Sequence, residues 1–221
     1  AEMGNEKGQT FALGTAYFLY FAVLGIYLPY FNLYCRSLNF SARELGLLSG
    51  AVALMHLAGP LFWSHASDRL QARKTLSWLT SFVSSAILAS TLFIEHFPLM
   101  FVALALYGFF RTVFLPLVDA ATWETVETDA GAYGRIRVWG SVGFIAASVA
   151  AGYLADVVSL KSAIGLMVFL SCFLAAAALA LPRDAASQKT FPDPKLIERA
   201  LRPSFVLFLI ICFLVQTSHG A

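Results

Sequence analysis

The sequence predicts an all-α membrane protein, built as a six-helix bundle followed by part or all of a seventh helix. Of its 221 residues, 59% are hydrophobic and only 13% are charged, whereas a soluble domain carries about 25% charged residues. The apolar residues are gathered into stretches of the length that a helix needs to cross a bilayer. The alternating strands of about ten residues that form membrane barrels are not found in the sequence.

Seven stretches meet the length of a bilayer crossing, which is about 20 residues. They are Phe11–Tyr34, Leu45–Trp63, Thr75–Ile94, Leu99–Val118, Val138–Val158, Ser162–Leu181 and Ser204–Gly220. Several contain glycine or proline, which membrane helices tolerate when neighbouring helices satisfy the freed backbone groups. In span five, small residues predict close helix packing. They are Gly140, Gly143, Ala147, Ala150 and Ala151.

The spacing of these spans predicts three parts. The first six spans follow one another closely and form the bundle, over residues 1–181. A polar stretch with Pro192 and Pro194 then predicts a cytoplasmic linker over 182–203. The seventh helix occupies 204–221. One bundle, one linker and one lone helix are typical of half of a larger protein, so we expect a C-terminal six-helix half as partner.

Basic residues predict the orientation, because cytoplasmic loops are enriched in lysine and arginine. With a cytoplasmic N-terminus, only Arg36, Arg43 and Lys161 fall outside. The inside positions are Lys7, Arg69, Arg73, Lys74, Arg135, Arg137, Arg183, Lys189, Lys195, Arg199 and Arg202. We therefore predict an integral, multi-pass protein of a bacterial inner membrane with its N-terminus in the cytoplasm.

Composition and motifs argue against several classes of protein. A net charge of +2 is too small to favour a nucleic-acid partner. Neither a Gly-x-Ser-x-Gly motif nor metal-ligand spacing of His, Asp and Glu is present, so no enzyme and no cofactor or metal is predicted. Span seven has no lysine for a retinal Schiff base. Cys35, Cys172 and Cys212 are interpreted as small hydrophobic residues within helices.

The predicted turn between spans two and three, from Ser64 to Lys74, has a distinctive charge pattern. It contains Asp68, Arg69, Arg73 and Lys74. This spacing resembles the signature loop of the major facilitator superfamily, and is similar to its sugar-permease branch. Ser64 and Gln71 stand where the family often has glycine. The resemblance implies a conformational role for the loop, whereas plain anchoring by cytoplasmic basic residues is the alternative.

A second match joins spans four and five. Pro116-Leu117-Val118-Asp119 closes span four, and Tyr133-Gly134-Arg135-Ile136-Arg137 opens span five. In sugar permeases of the superfamily, an acid and an arginine at this separation hold the sugar, and an aromatic residue on the following helix stacks on it. The resemblance implies that Asp119, Arg137 and Phe144 bind substrate. A structural ion pair and a lipid- or core-facing Phe144 are the alternatives, and Arg135 is interpreted as a surface anchor.

The sequence from Tyr133 onward most resembles the phenylpropionic acid permease-like branch, which is related to lactose permease and to nucleoside proton symporters. His219 in span seven is a candidate proton contact because histidine titrates near neutrality, although an interfacial histidine is equally consistent. Arg111 lies in mid-span, where charge is expensive and must face the bundle or a wet cavity. It is therefore a candidate contact for a carboxylate substrate, with pairing to a missing C-terminal helix as the alternative, and it lies about 12 Å along the helix from Asp119. His56 is interpreted as a hydrogen-bonded packing residue.

Together these features predict a secondary transporter that works by alternating access between two halves. A small organic solute, with an aryl carboxylate such as phenylpropionate favoured, would move with a proton, and Asp119 and His219 are the coupling candidates. A sugar or nucleoside proton symporter is the alternative. A structural or assembly membrane protein without transport activity is the alternative from another class.

Overall fold

The computed structural model describes residues 2–70, 73–126 and 129–181, together with 204, 205, 207, 210, 211 and 214. Side chains are described for these residues except at 2–7, 64, 67, 68, 70, 73 and 130. The elements are α1 (Glu2–Ile26), a π-helical turn (Tyr27–Phe31), α2 (Asn32–Ser37), α3 (Ala42–Leu70), α4 (Arg73–Ser90), α5 (Phe97–Arg111), α6 (Phe114–Thr125), α7 (Ala130–Val157) and α8 (Leu160–Ala178). Within these described ranges there is no strand, and the all-α prediction is confirmed.

These elements form six rods, because α1 continues through the π-helical turn into α2, and α5 continues into α6 after a short break. Five rods are long and apolar enough to cross a membrane. The sixth, α4, is 18 residues long and rich in serine and threonine. Its buried hydroxyls include that of Ser85, which donates to the carbonyl of Ser171 on α8 at 2.7 Å. This bond ties α4 to its neighbour.

The order of the rods in space places α1 at the centre of the bundle. It packs against α6, α7 and α8, while α3 packs on α5, and α4 lies against both α5 and α8. The Trp63 indole on α3 donates to the carbonyl of Phe109 on α5 at 2.9 Å. Many large side chains on the outer faces are exposed, as expected for a bundle whose surroundings are lipid.

Helices α1 and α7 run in the same direction and approach closely through glycine. A Cβ added to Gly143 would lie 2.9 Å from the carbonyl carbon of Phe18, and one on Gly25 would lie 2.5 Å from the carbonyl oxygen of Phe144. Both gaps are too small for any side chain. The predicted close packing of span five is therefore confirmed, and α1 is its partner.

The first rod contains an irregularity that the apolar pattern does not show. Proline has no N–H to donate and clashes with the carbonyl four residues earlier, and the turn around Pro29 is π-helical. A neighbouring helix stabilises this π-helical turn, because the Tyr30 hydroxyl donates to the carbonyl of Ser148 on α7 at 3.2 Å. Tyr27 and Phe31 stack on each other, with ring centroids 5.1 Å apart.

Several predicted boundaries are wrong. Helix α3 runs on to Leu70, so the stretch from Ser64 to Leu70 is helical, and residues 71 and 72 lie outside the described residues. Helix α6 extends to Thr125, and α7 begins at Ala130, eight positions before the predicted start at Val138. The physical reason is common to all three. A helix satisfies its own backbone and does not have to end where polar side chains begin.

The chain divides into two units, Ala1–Ala185 and Ala186–Ala221. In the second unit the six described residues are all helical. The predicted linker, 182–203, lies outside the described residues, as does much of the predicted seventh span.

Candidate functional site

Asp119 on α6 and Arg137 on α7 form an ion pair, with Nη1 of the arginine 3.3 Å from Oδ1 of the aspartate. The early start of α7 places Arg137 two turns inside the helix, within a membrane-spanning segment. The exposed fraction is 44% for the arginine side chain and 29% for the aspartate. The two residues therefore meet, and both side chains remain partly exposed.

Two tyrosine hydroxyls complete the arrangement around Asp119. Tyr17 on α1 donates a short hydrogen bond to Oδ1, and Tyr133 on α7 donates to the same atom at 3.1 Å. Arg137 also donates to the Tyr133 hydroxyl. One carboxylate oxygen thus accepts bonds from three side chains on two helices, and as a pure acceptor it suits the ionised form. This cluster of Tyr17, Asp119, Tyr133 and Arg137 is called the polar cluster below.

Aromatic packing fixes the position of Tyr133. Its ring stacks on Trp123 with centroids 4.5 Å apart and planes inclined by 14°. The Arg137 guanidinium carbon lies 5.7 Å from the centroid of the Tyr133 ring, within the range of a cation–π contact. The sequence analysis missed Tyr17 and Tyr133 as site residues. For Tyr133 there was a signal, because it lies four residues before Arg137 on one helix face.

Arg111 lies in a second, separate environment. It is 5% exposed, and its guanidinium carbon lies 4.5 Å from the ring centroid of Tyr20 and 5.8 Å from that of Tyr107. Tyr20 in turn stacks on Phe114. Among the described residues, no carboxylate lies within ion-pairing distance of Arg111. As predicted, it does not contact Asp119, and it faces the bundle interior.

Phe144 lies seven residues beyond Arg137 on α7, about 10 Å along the axis. Its backbone carbonyl faces Gly25 of α1, and its side chain is partly buried. In the described part of the chain, no ring or hydrogen-bond contact joins it to the polar cluster. A role for its ring in substrate binding stays a prediction.

The remaining predicted positions are distributed around the bundle. Arg135 is 74% exposed on its side chain and pairs with Asp129 at 3.6 Å, which agrees with a surface anchor. His56 is exposed on α3 rather than packed inside, so the interpretation as a packing residue is wrong. His219 lies outside the described residues.

The signature loop is only partly described. Arg69 is exposed in the last turn of α3, and Lys74 is half-buried in the first turn of α4. Asp68 and Arg73 belong to these same helices, but their side chains lie outside the described set. The conformational role that the resemblance implies for this loop stays a prediction.

One large cavity, of about 880 Å³, opens beside the middle of α1 and the first turns of α7. Its lining is mainly apolar and includes Phe11, Phe18, Trp139 and Phe173, with Arg135 as its charged side chain. Neither Asp119 nor Arg137 lines it. Among the residues with described side chains, no group of three or more His, Cys, Asp or Glu is placed to hold a metal ion.

The fold and the site define a class: a multi-pass, all-α membrane protein with charged and polar side chains gathered between membrane-spanning helices, as in proteins that move solutes. A family model, that of the MFS_1-like family, matches residues 10–221. The chain belongs to this family of major facilitator transporters.

Two curated relatives and one solved structure illustrate the similarity. The chain is 30% identical over 149 residues to a protein of Escherichia coli K12 named "Probable 3-phenylpropionic acid transporter", covering 64% of this chain and 38% of that protein. It is 30% identical over 207 residues to the maltose permease of Geobacillus stearothermophilus, covering 90% and 51%. The crystal structure of the nucleoside transporter NupG superposes with a TM-score of 0.74 at 19% identity, covering 93% and 53%. The chain thus spans about half the length, or less, of the relatives it matches.

Proposed function

We propose that the chain is the N-terminal half of a proton-coupled secondary transporter for a small organic solute, working by alternating access. In this proposal 1–181 form one rocking bundle, 182–203 the linker and 204–221 the first helix of a second half. The matched relatives, about twice as long, support this division. Membership of a transporter family argues against an enzyme, and the lysine and arginine distribution supports a bacterial inner membrane with the N-terminus inside.

The observation that carries the proposal is the accessible Asp119–Arg137 pair, held within membrane-spanning helices by tyrosines from α1 and α7. A buried or half-buried charge pair in a membrane is costly and marks a solute or ion path. A solute displaces part of this pairing by binding Arg137 through its polar end. Phe144 lies farther along the same helix and offers its ring to an aromatic solute.

An aryl carboxylate such as phenylpropionate is the favoured solute. One relative is named as a transporter of 3-phenylpropionic acid, and two arginines that could bind a carboxylate, Arg111 and Arg137, lie within membrane-spanning segments. A sugar or nucleoside is the alternative, supported by the maltose permease, while NupG shares only the fold. The residues proposed to bind substrate are Asp119, Arg137, Phe144 and Arg111.

Proton coupling is assigned to Asp119, with His219 as the second candidate. When a solute draws Arg137 away, the aspartate loses its counter-charge, and taking up a proton removes the cost of leaving it unpaired in a low dielectric. The signature-loop residues Asp68, Arg69, Arg73 and Lys74 are proposed to act at the conformational change. They sit at or near the ends of α3 and α4.

Uptake in cells tests the site directly. Arg137→Ala in the full-length protein should reduce proton-gradient-dependent uptake of labelled 3-phenylpropionate at least about tenfold, the equivalent of one lost hydrogen bond to a charged group. Arg135→Ala is the matched control, two residues away on the same helix, and should transport normally. Membrane abundance of each variant is measured by immunoblot.

Asp119→Asn keeps the shape of the side chain and removes its charge. It should abolish the dependence of uptake on the proton gradient, while counterflow exchange of solute continues. Normal uptake in both Arg137→Ala and Asp119→Asn would refute the transport site at this pair. A wild-type protein that takes up no aryl carboxylate, sugar or nucleoside would instead support a structural or assembly protein.

A further inference from the structure

Two hydrogen-bond donors on one face of α5 are buried without a partner. Nη2 of Arg111 and the hydroxyl of Tyr107 have no hydrogen-bond partner among the described residues, although the residues are only 5% and 2% exposed. They lie four positions apart, so their side chains are neighbours on the helix surface. Buried donors in folded proteins are nearly always satisfied. A ligand with hydrogen-bond acceptors for both side chains would satisfy these two donors.

The charge of Arg111 is also uncompensated. The polar cluster is neutral as a unit, because Asp119 pairs with Arg137. By contrast, the titratable groups of the described residues that act on Arg111 are Tyr20, Tyr27, Tyr107 and His56, none of which carries a negative charge at neutral pH. A guanidinium in the middle of a membrane helix without a counter-ion is expensive. An anionic partner would offset this cost, whereas a neutral hydroxyl would not.

Tyr20 keeps the guanidinium in place. Its ring lies between Arg111, 4.5 Å from the centroid, and the parallel ring of Phe114. A cation–π contact of this kind orients the arginine but leaves Nη2 free to donate. Tyr20 is thus a positioning residue. On the side of α3, the exposed His56 is close enough to Arg111 to interact with it electrostatically.

We infer that Arg111 and Tyr107 form a carboxylate subsite, separate from the polar cluster, which binds the acidic end of an aryl carboxylate. The inference rests on the proposed function, since it assumes that the solute is such an acid, and it assigns the acid group to Arg111 instead of Arg137. A carboxylate has an acceptor for each orphan donor and supplies the missing negative charge. The subsite lies about 12 Å from Asp119 along the helix axis.

Equilibrium binding to the purified full-length protein separates this inference from its alternatives. The probes are 3-phenylpropionate and its neutral analogue 3-phenylpropionamide. Tyr107→Phe removes one hydroxyl and keeps the ring, and should weaken carboxylate binding about tenfold, the loss of one hydrogen bond to a charged group. Amide binding should be unchanged. Arg111→Gln should abolish the preference for the acid, and retained amide binding shows that it folds.

Tyr34→Phe is the matched control, because Tyr34 is also buried but donates to the carbonyl of Thr91. It should bind both probes as the wild type does. Unchanged acid binding in Tyr107→Phe and Arg111→Gln, with a loss in Arg137→Ala, would overturn the carboxylate subsite and leave the proposed function standing. A wild-type protein that binds neither probe would overturn both. Competition by chloride or acetate as strong as by 3-phenylpropionate would show a general anion site and also overturn the inference.

Discussion

The closest approach of α1 and α7 gives a prediction whose size follows from the structure. A methyl group at position 143 would lie 2.9 Å from the Phe18 carbonyl carbon, whereas carbon atoms prefer about 3.5 Å or more. The helices must separate by at least roughly 0.6 Å, and because the neighbour is backbone it cannot rotate away. Overpacking costs about 1–3 kcal/mol. Alanine regains about 1 kcal/mol of helix propensity.

With the cost at the upper end of that range, Gly143→Ala should lose about 2 kcal/mol of stability, which corresponds to a melting temperature lower by roughly 4–8 °C. The assay is thermal unfolding of the full-length protein in detergent, followed by tryptophan fluorescence. Gly134→Ala is the matched control on the same helix, since nothing lies within 4 Å of its added methyl group, and it should melt at or above the wild-type temperature. Equal melting temperatures for the two variants would refute the packing argument.

Two further predictions concern single hydrogen bonds and use the same assay. Asp129 accepts a hydrogen bond from the backbone N–H of Gly131 and caps α7, so Asp129→Ala should lower the stability by about 0.5–2 kcal/mol. Asp129→Asn keeps the acceptor and should lower the stability less. Equal losses of stability in the two variants would contradict the cap. Ser85→Ala should cost about 0.6 kcal/mol, the average for a bond between membrane helices, because it loses the bond to Ser171. Ser90→Ala is the control, because it loses only a hydrogen bond within its own helix. A loss of stability as large as that of Ser85→Ala would refute the stabilising role of the bond between α4 and α8.

Much of this fold could be predicted from the amino-acid sequence because a bilayer imposes a length on each apolar segment. Helix ends were predicted less well, since the apolar pattern stops where polar residues begin and the backbone hydrogen bonds continue. Asp119 illustrates both points. It marked the predicted end of span four, yet it lies in the middle of α6.

The candidate site was predicted in part for a similar reason. Asp119 and Arg137 are charged residues in apolar surroundings, and such residues need a partner. Tyr17 carried no such signal, because a tyrosine on an apolar helix packs well without a special partner. Only the rotation of α1 about its axis places its hydroxyl against the aspartate, and rotation depends on contacts made elsewhere. Tyr107 was missed on the same grounds.

The π-helical turn at Pro29 determines that rotation. A π-helical turn holds one residue more than an α-helical turn, so the residues before it are turned by about 100° relative to an uninterrupted helix. Deleting Leu28 would restore a regular repeat and swing Tyr17 away from Asp119 without changing any residue of the polar cluster. In comparisons of related sequences, a one-residue gap at this turn therefore marks a change in which face of the first helix meets Asp119.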